Sequence, residues 1–173
     1  IPVNFGALQT AEFLIDNFFN VLEDIYPEYT EIPAEDLYEK VILASIIERE
    51  YRVAEEAPLI GSVFLNRLEI WMPLESCATV VYALTNEYGR EHPEFLTWAD
   101  TEIKSEYNTY NNYGLPPGPI SNPGATALDG AFNPADTDYL FFRVVDEAAG
   151  KHYFSKSFNE HLNAEYLSVK NVQ

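Results

Sequence analysis

The chain has 173 residues, of which 47% are hydrophobic and 14% aromatic, a composition that supports one compact domain and excludes a disordered segment. Its formal net charge of −18 comes from 28 acidic and 10 basic residues, and a field of that sign excludes nucleic acid and anionic lipid as partners. No run of about 18 apolar residues occurs, so no membrane-spanning helix is predicted. The chain begins at Ile1 without Met, and we expect it to be a piece of a longer protein.

Three amphipathic helices are predicted in the first part of the chain. We expect Thr10 to cap the first helix, which should end at about Tyr26 because Pro27 follows. Proline is favoured in the first turn of a helix, so Pro33 is expected to open the second helix and Pro58 the third. These three helices are expected to pack on one another as the first layer of the core.

The rest of the chain combines a long loop with short elements. The stretch from Tyr107 to Gly124, YNTYNNYGLPPGPISNPG, is too rich in Asn, Gly and Pro for regular structure, and long loops of this kind often bind or catalyse. The other predicted elements are a helix near Ala78–Leu84, a helix over Gly124–Phe132, strands over Tyr139–Val145 and Lys151–Ser155, and a terminal helix from the capping box of Ser157 and Glu160 through about Val169. The order predicts an α+β fold with an N-terminal helical layer, a long Asn/Gly/Pro-rich active-site loop, a small antiparallel β-hairpin and a C-terminal helix.

Glu50 is the candidate catalytic residue of the second helix. At about 100° per residue, Leu43, Ile46 and Ile47 share one helix face with Glu50, whose carboxyl group is the polar exception there. Glu48 lies on the other side, four residues before Arg52, and is expected to form a surface ion pair with it. Lost hydration raises the pKa of a carboxyl group, which suits Glu50 to proton donation near neutral pH. The alternative is an ordinary glutamate that reaches solvent or a hydrogen-bond donor.

No metal or cofactor site is predicted from the sequence. The spacing of His92, His152, His161 and Cys77 matches no zinc pattern, and a single cysteine excludes an internal disulfide framework. The phosphate-binding motifs and the nucleophile elbow are absent. None of the five lysines stands in a recognisable pyridoxal phosphate setting: Lys40, Lys104, Lys151, Lys156 and Lys170.

The loop from Tyr107 to Gly124 offers neutral hydrogen-bonding groups beside aromatic rings. Hydroxyl and amide groups can bond sugar hydroxyls, while aromatic faces stack on the C–H faces of sugar rings. The alternative is a loop in which Asn and Pro serve local turn geometry alone. Composition by itself leaves both interpretations open.

Several motifs resemble the catalytic domain of the endolytic murein transglycosylases, the MltG or YceG-like family: ASIIERE at Ala44–Glu50, SVFLNRL at Ser62–Leu68, YNTY followed by GLPPGPISNPG, and YLFF, HYF and EH near the C-terminus. The resemblance covers roughly Leu37 to Leu167. It implies that residues 1–36 form an N-terminal helix and linker, and that residues 37–173 form the YceG-like catalytic domain within a single compact unit. It also implies cleavage of the MurNAc–GlcNAc β-1,4 bond without water and without a cofactor, leaving a 1,6-anhydro-MurNAc end.

The resemblance also assigns roles to residues. The family's catalytic glutamate falls on Glu50, which would protonate the glycosidic oxygen and then take the proton of the MurNAc 6-hydroxyl as this closes on C1. Asn66 is expected to help position the surroundings of Glu50. The residues expected to bind substrate are Tyr107, Asn108, Thr109, Tyr110, Asn122, Asn66 and Glu75.

The resemblance further implies a cell-wall setting for the chain. Its expected partners are peptidoglycan glycan strands, with cell-wall synthases as further candidates. The expected location is the extracytoplasmic face of the bacterial cytoplasmic membrane, reached through an N-terminal anchor outside this chain.

The chain departs from the family's pattern at one motif. Members usually carry Gln-Thr-Asp-Pro where this chain has Glu75, Ser76, Cys77 and Ala78, which puts sugar contacts there in question. Two alternatives therefore stay open beside the enzyme. One is a non-catalytic peptidoglycan-binding or scaffold domain. The other is a hydrolytic muramidase, which would need a second carboxylate about 5–9 Å from the first, from Glu56, Glu75 or Asp100.

Overall fold

The fold joins a group of α-helices to one two-stranded sheet, in a computed structural model that describes residues 2 and 4–164. The helices are α1 (Ala7–Ile25), α2 (Ala34–Glu50), α3 (Ala57–Glu69), α4 (Cys77–Tyr82), α5 (Ala125–Phe132) and α6 (Phe158–Asn163). The strands are β1 (Phe141–Asp146) and β2 (Lys151–Ser155), and a π-helical turn over Ala83–Glu87 extends α4. The predicted α+β class is confirmed. Among the described residues, no helix combines the length and the apolar character that crossing a membrane requires.

Helix α5 occupies the centre of the helical core and packs against α1, α2 and α3. Helices α2 and α3 contact each other as expected, whereas α1 packs mainly on α5. The expected layer of three helices therefore includes α5 as a fourth helix. The close approach of α3 and α5 requires glycine, because a Cβ atom on Gly61 would lie 2.0 Å from the carbonyl oxygen of Gly130. The two backbones are therefore in direct contact.

The predicted helix starts are partly right. Pro58 lies in the first turn of α3, and Ser157 and Glu160 form the predicted capping box of α6. The Thr10 cap was wrong: α1 begins at Ala7 because the side chain of Gln9 accepts a 3.0 Å hydrogen bond from the Gly6 amide. The predicted continuation of α6 through Val169 lies outside the described residues.

The two strands pair antiparallel, with Phe142 opposite Phe154 and an irregularity between Val144 and Asp146. Phe142 packs edge-on against Phe64 of the core, with 5.7 Å between ring centroids. Because side chains alternate along a strand, Phe141 and Arg143 share the other face. This face turns toward α6 and borders the site described below.

The loop between Tyr107 and Gly124 has no regular structure, as predicted, and Ser45 of α2 anchors its second half. The Ser45 hydroxyl accepts a 3.0 Å hydrogen bond from the Ile120 amide, and the Ser121 hydroxyl donates to the Ser45 carbonyl oxygen at 2.8 Å. Buried Ser45 therefore fixes the loop against the helix that ends in Glu50.

Candidate active site

Glu50 is the last residue of α2, at the end of a buried apolar face. Leu43, Ile46 and Ile47 of that face are at most 2% exposed, while Glu50 itself is half-buried. The burial of Leu43, Ile46 and Ile47 agrees with the predicted face, but Ser45 on the opposite side is buried as well, and Glu48 is half-buried like Glu50. Because the chain leaves the helix at Tyr51, the carboxyl group lies where the core meets the surface.

Burial raises the pKa of Glu50, since the charged carboxylate loses solvation among apolar neighbours. Three influences oppose the shift: a hydrogen bond from the Ser76 hydroxyl and the electrostatic interactions with His152 and Arg49. The Ser76 bond spans 2.5 Å from Oγ to Glu50 Oε1. The net result is a carboxyl group that keeps its proton to a higher pH than an ordinary glutamate, as a general acid requires.

Thr109 of the long loop holds the segment that carries Ser76. The Thr109 hydroxyl accepts a 3.1 Å hydrogen bond from the Ser76 amide, and its carbonyl oxygen accepts one of 3.1 Å from the Glu75 amide. Thr79 Oγ1 lies 2.9 Å from Thr109 Oγ1 and completes the buried group. Thr109 is 1% exposed, so the structure places this predicted substrate-binding residue beneath the site, where it positions Ser76.

Glu75 adopts a left-handed backbone conformation with φ of 51°, which costs a residue with a Cβ atom about 1–3 kcal/mol. Its carboxylate lies 3.2 Å from Nη1 of buried Arg67. The same Arg67 nitrogen donates to the carbonyl oxygens of Pro73 and Leu74 at 3.0 Å. These contacts hold the strained turn, which presents Ser76 to Glu50.

Two clefts meet at Glu50. The first, of about 510 Å³, lies between the Glu75–Cys77 segment, β1 and α6, and its lining includes Tyr110 and Trp98. The second, of about 400 Å³, lies between α4 and the 92–96 loop. Glu50 and Cys77 border both clefts, so a chain of sugars could run through them with its scissile bond at Glu50.

Tyr110 is the residue of the YNTY motif that reaches the first cleft. Its hydroxyl oxygen lies 3.2 Å from Cys77 Sγ, and burial raises the pKa of its phenol, which keeps the hydroxyl protonated. Tyr107 instead packs on Tyr82 with 4.6 Å between ring centroids, and it borders neither cleft.

The three predicted asparagines lie away from both clefts. Asn108 is fully buried, and its amide nitrogen donates to the carbonyl oxygens of Thr101 and Ile103 at 2.8 and 2.9 Å. Asn66 donates to two carbonyl oxygens of the 137–139 segment and so braces the entry to β1. Asn122 is exposed beside the N-terminus of α5. Their assignment to substrate binding stays a prediction, and the bonds of Asn108 and Asn66 favour a structural role.

The carboxylates considered for a muramidase each have a partner. Glu56 Oε2 lies 2.7 Å from Nδ1 of buried His152, and Asp100 Oδ1 lies 3.1 Å from Nη1 of Arg90. Of the three candidates, Glu75 is the one that shares a cleft with Glu50.

The predicted pair of Glu48 with Arg52 was wrong, because α2 ends at Glu50 and Arg52 leaves the helix. Glu48 instead accepts a 2.9 Å hydrogen bond from the Gly124 amide at the start of α5, and Arg52 pairs with Glu147 at 2.5 Å.

Sequence reasoning missed Ser76, Trp98, Arg143 and His161, all of which line the first cleft. The family motif could have indicated Ser76, because serine keeps the hydroxyl group of the threonine that family members usually carry there. His161 lies in the EH motif of the family resemblance, whereas Trp98 and Arg143 had no signal because they lie in no quoted motif. Within the described part of the chain, no group of three or more His, Cys, Asp and Glu side chains is arranged to hold a metal ion.

Comparison with known proteins identifies a matching family model and named relatives. The model of the YceG-like family matches residues 3–166. A Bacillus subtilis protein named endolytic murein transglycosylase is 39% identical over 137 residues, which cover 78% of this chain and 36% of that protein. A Streptococcus pneumoniae protein of the same name is 35% identical over 167 residues, covering 93% of this chain and 30% of that protein. The chain thus spans about a third of the length of these relatives.

A solved structure has the same fold. The crystal structure of a YceG-like protein from Listeria monocytogenes superposes with a TM-score of 0.76 at 36% sequence identity. The match covers 94% of this chain and 50% of that one.

Proposed function

The chain belongs to the YceG-like family, and on that premise we propose that it is a peptidoglycan lytic transglycosylase in which Glu50 serves as general acid and then as base. The names of the B. subtilis and S. pneumoniae relatives support the substrate and the class of reaction. The observation that carries the proposal is the position of Glu50 at the junction of two clefts, with a pKa raised by burial.

In the first half of the proposed reaction, Glu50 gives its proton to the glycosidic oxygen between MurNAc and GlcNAc. The C1–O bond breaks and the MurNAc C1 gains oxocarbenium character. Because Ser76 donates to Oε1 of Glu50, the carboxyl proton is directed to Oε2, the oxygen that remains for the substrate.

In the second half, the Glu50 carboxylate takes the proton of the MurNAc 6-hydroxyl as O6 bonds to C1. The products are a 1,6-anhydro-MurNAc end and a free GlcNAc 4-hydroxyl, and no water is consumed. One carboxyl group suffices because the nucleophile belongs to the substrate. A retaining hydrolase would need a second carboxylate about 5 Å away, acting as nucleophile.

We further propose that the chain acts on glycan strands at the extracytoplasmic face of the cytoplasmic membrane. Contact with cell-wall synthases and an anchor outside this chain stay expectations from the family resemblance.

The proposal is tested by mass spectrometry of purified peptidoglycan treated with the parent chain, Glu50→Gln and Glu48→Gln. Glu48→Gln is the matched control, since Glu48 lies in the same helix but bonds to Gly124 outside both clefts. Anhydro-MurNAc ends are expected from the parent and Glu48→Gln, and none from Glu50→Gln. Products one water heavier would identify a muramidase, with Glu75 as the first candidate for the second carboxylate. Absence of any product would overturn the enzymatic proposal in favour of a binding domain.

A further inference from the structure

The cleft that contains Glu50 also contains a group of positive and aromatic side chains that the proposed reaction does not use. Arg67, Arg143 and His161 line it together with the rings of Phe141 and Phe158. The chain as a whole carries 28 acidic and 10 basic residues, so this local grouping runs against its overall charge. A site for a negatively charged part of the substrate would explain it.

The two arginines differ in how far their charges are neutralised. Arg67 is paired with the Glu75 carboxylate and bonded to three backbone carbonyl groups. Arg143 has no carboxylate partner among the residues that the structure describes. Its Nη1 donates to the His161 carbonyl oxygen at a long 3.4 Å, and its buried Nε has no hydrogen-bond partner. A buried donor without a hydrogen-bond partner is rare in folded proteins, and together with the missing carboxylate it leaves the Arg143 charge uncompensated.

His161 repeats this pattern on the facing helix. Its buried Nδ1 has no hydrogen-bond partner in the described structure, and its ring packs 5.5 Å from the Phe141 ring centroid. Burial lowers the pKa of His161, and the positive charges of Arg143 and Arg67 lower it further. An anion in the cleft would lie beside the Arg143 and His161 side chains that line it, and its negative charge would oppose this lowering of the His161 pKa.

We propose that Arg143 and His161 bind a carboxylate of the peptidoglycan substrate, in the same cleft as Glu50. This inference rests on the proposed function. A guanidinium group matches a carboxylate with two parallel N–H donors, which favours that anion over a neutral sugar hydroxyl. Peptidoglycan offers two sources: the lactyl carboxylate of a MurNAc without peptide, and the carboxylates of the stem peptide on a substituted MurNAc.

The test measures binding to the Glu50→Gln variant, so that turnover does not interfere. The probes are soluble glycan fragments with stem peptides, fragments stripped by an amidase, and both kinds after their carboxylates are coupled to methylamine. Blocking the carboxylates is expected to weaken binding about tenfold, the value of one charged hydrogen bond. Adding Arg143→Gln should weaken binding of the unblocked fragments by a similar factor and abolish the effect of blocking.

The two fragment types separate the sources. An effect of blocking confined to stripped fragments assigns the lactyl carboxylate, and one confined to substituted fragments assigns the stem peptide. Arg143→Lys keeps the positive charge and should still bind unblocked fragments more tightly than blocked ones, though by a smaller factor. This result would show that the loss in Arg143→Gln does not come from misfolding. Arg52→Gln is the matched control, because Arg52 pairs with Glu147 outside the cleft.

Equal affinity for blocked and unblocked fragments, or an unchanged ratio in Arg143→Gln, would overturn the inference. Failure of the proposed function has a different signature: the parent chain would release no product from unblocked strands, whatever the binding ratio.

Discussion

The hydroxyl of Ser76 donates a 2.5 Å hydrogen bond to Oε1 of Glu50, and this contact joins the end of α2 to the start of α4. The bond lowers the pKa of Glu50 against the larger upward effect of burial. Ser76 also leaves Oε2 of Glu50 as the oxygen that can carry the transferable proton. Ser76 is therefore a positioning residue of the proposed reaction, held in turn by Thr109.

Ser76→Ala is expected to raise the pKa of Glu50 further, because it removes the hydrogen bond that stabilises the carboxylate. The acid must start protonated, so the loss of kcat/KM at high pH should move to higher pH. The maximal rate should fall about tenfold, since the proton is no longer directed to Oε2. A pH profile of anhydro-MurNAc formation measures both effects. Ser76→Thr keeps the hydroxyl and should resemble the parent; an Ala profile that matched the parent would remove Ser76 from the mechanism.

Glu50→Gln is expected to stabilise the fold at neutral pH. The folded pKa of Glu50 is raised, so the carboxyl group costs stability as pH rises from its unfolded pKa through its folded pKa. Glutamine does not titrate and can still accept the Ser76 bond. Its advantage in unfolding free energy should therefore grow with pH and vanish below about pH 4, the ordinary range of glutamate. Denaturant unfolding at several pH values measures it. The control Glu48→Gln, which weakens the bond to the Gly124 amide, should lose stability; a Glu50→Gln variant that also lost stability at neutral pH would contradict the expectation.

Trp98→Ala is expected to raise KM several-fold with little change in kcat. Trp98 is 81% exposed at the cleft of Glu50, where its ring can stack on a sugar for about 0.5–1.5 kcal/mol. Trp71→Ala is the matched control, because Trp71 is 77% exposed but lines a separate groove beside Met72 and Leu115. Steady-state kinetics on glycan strands measures KM and kcat separately for both variants. Equal effects of the two substitutions would exclude a specific role for Trp98.

Gly61→Ala is expected to destabilise the fold by about 3 kcal/mol, at the upper end of the usual cost of overpacking. The added Cβ atom would meet the backbone oxygen of Gly130 at 2.0 Å, so α3 and α5 would have to separate. Thermal or denaturant unfolding measures the loss. Gly124→Ala is the comparison, since its Cβ atom would lie 3.5 Å from a Glu48 carboxylate oxygen, an ordinary contact, and a much smaller change is expected. Comparable losses in both variants would mean that the helix crossing tolerates a methyl group.

Local patterns in the sequence determined much of this protein. The 3.6-residue period of α2 aligned Glu50 with buried Leu43, Ile46 and Ile47. The Ser157 and Glu160 pair located the start of α6, and the prolines after Tyr107 excluded regular structure there. The family motifs pointed to the same glutamate. These features depend on residues a few positions apart, whose geometry the backbone itself dictates.

The tertiary structure alone decided what surrounds Glu50. Ser76 lies 26 residues from Glu50, and Thr109 lies 33 residues from Ser76, while Arg143 and His161 reach the same cleft from the hairpin and the last helix. It also placed Asn108 and Thr109, which the family resemblance assigned to substrate binding, in the interior with hydrogen bonds to neighbouring segments. Contacts of this separation have no periodic signature, because they arise from how whole elements pack. Each hydroxyl or amide then bonds whichever partner that packing brings near.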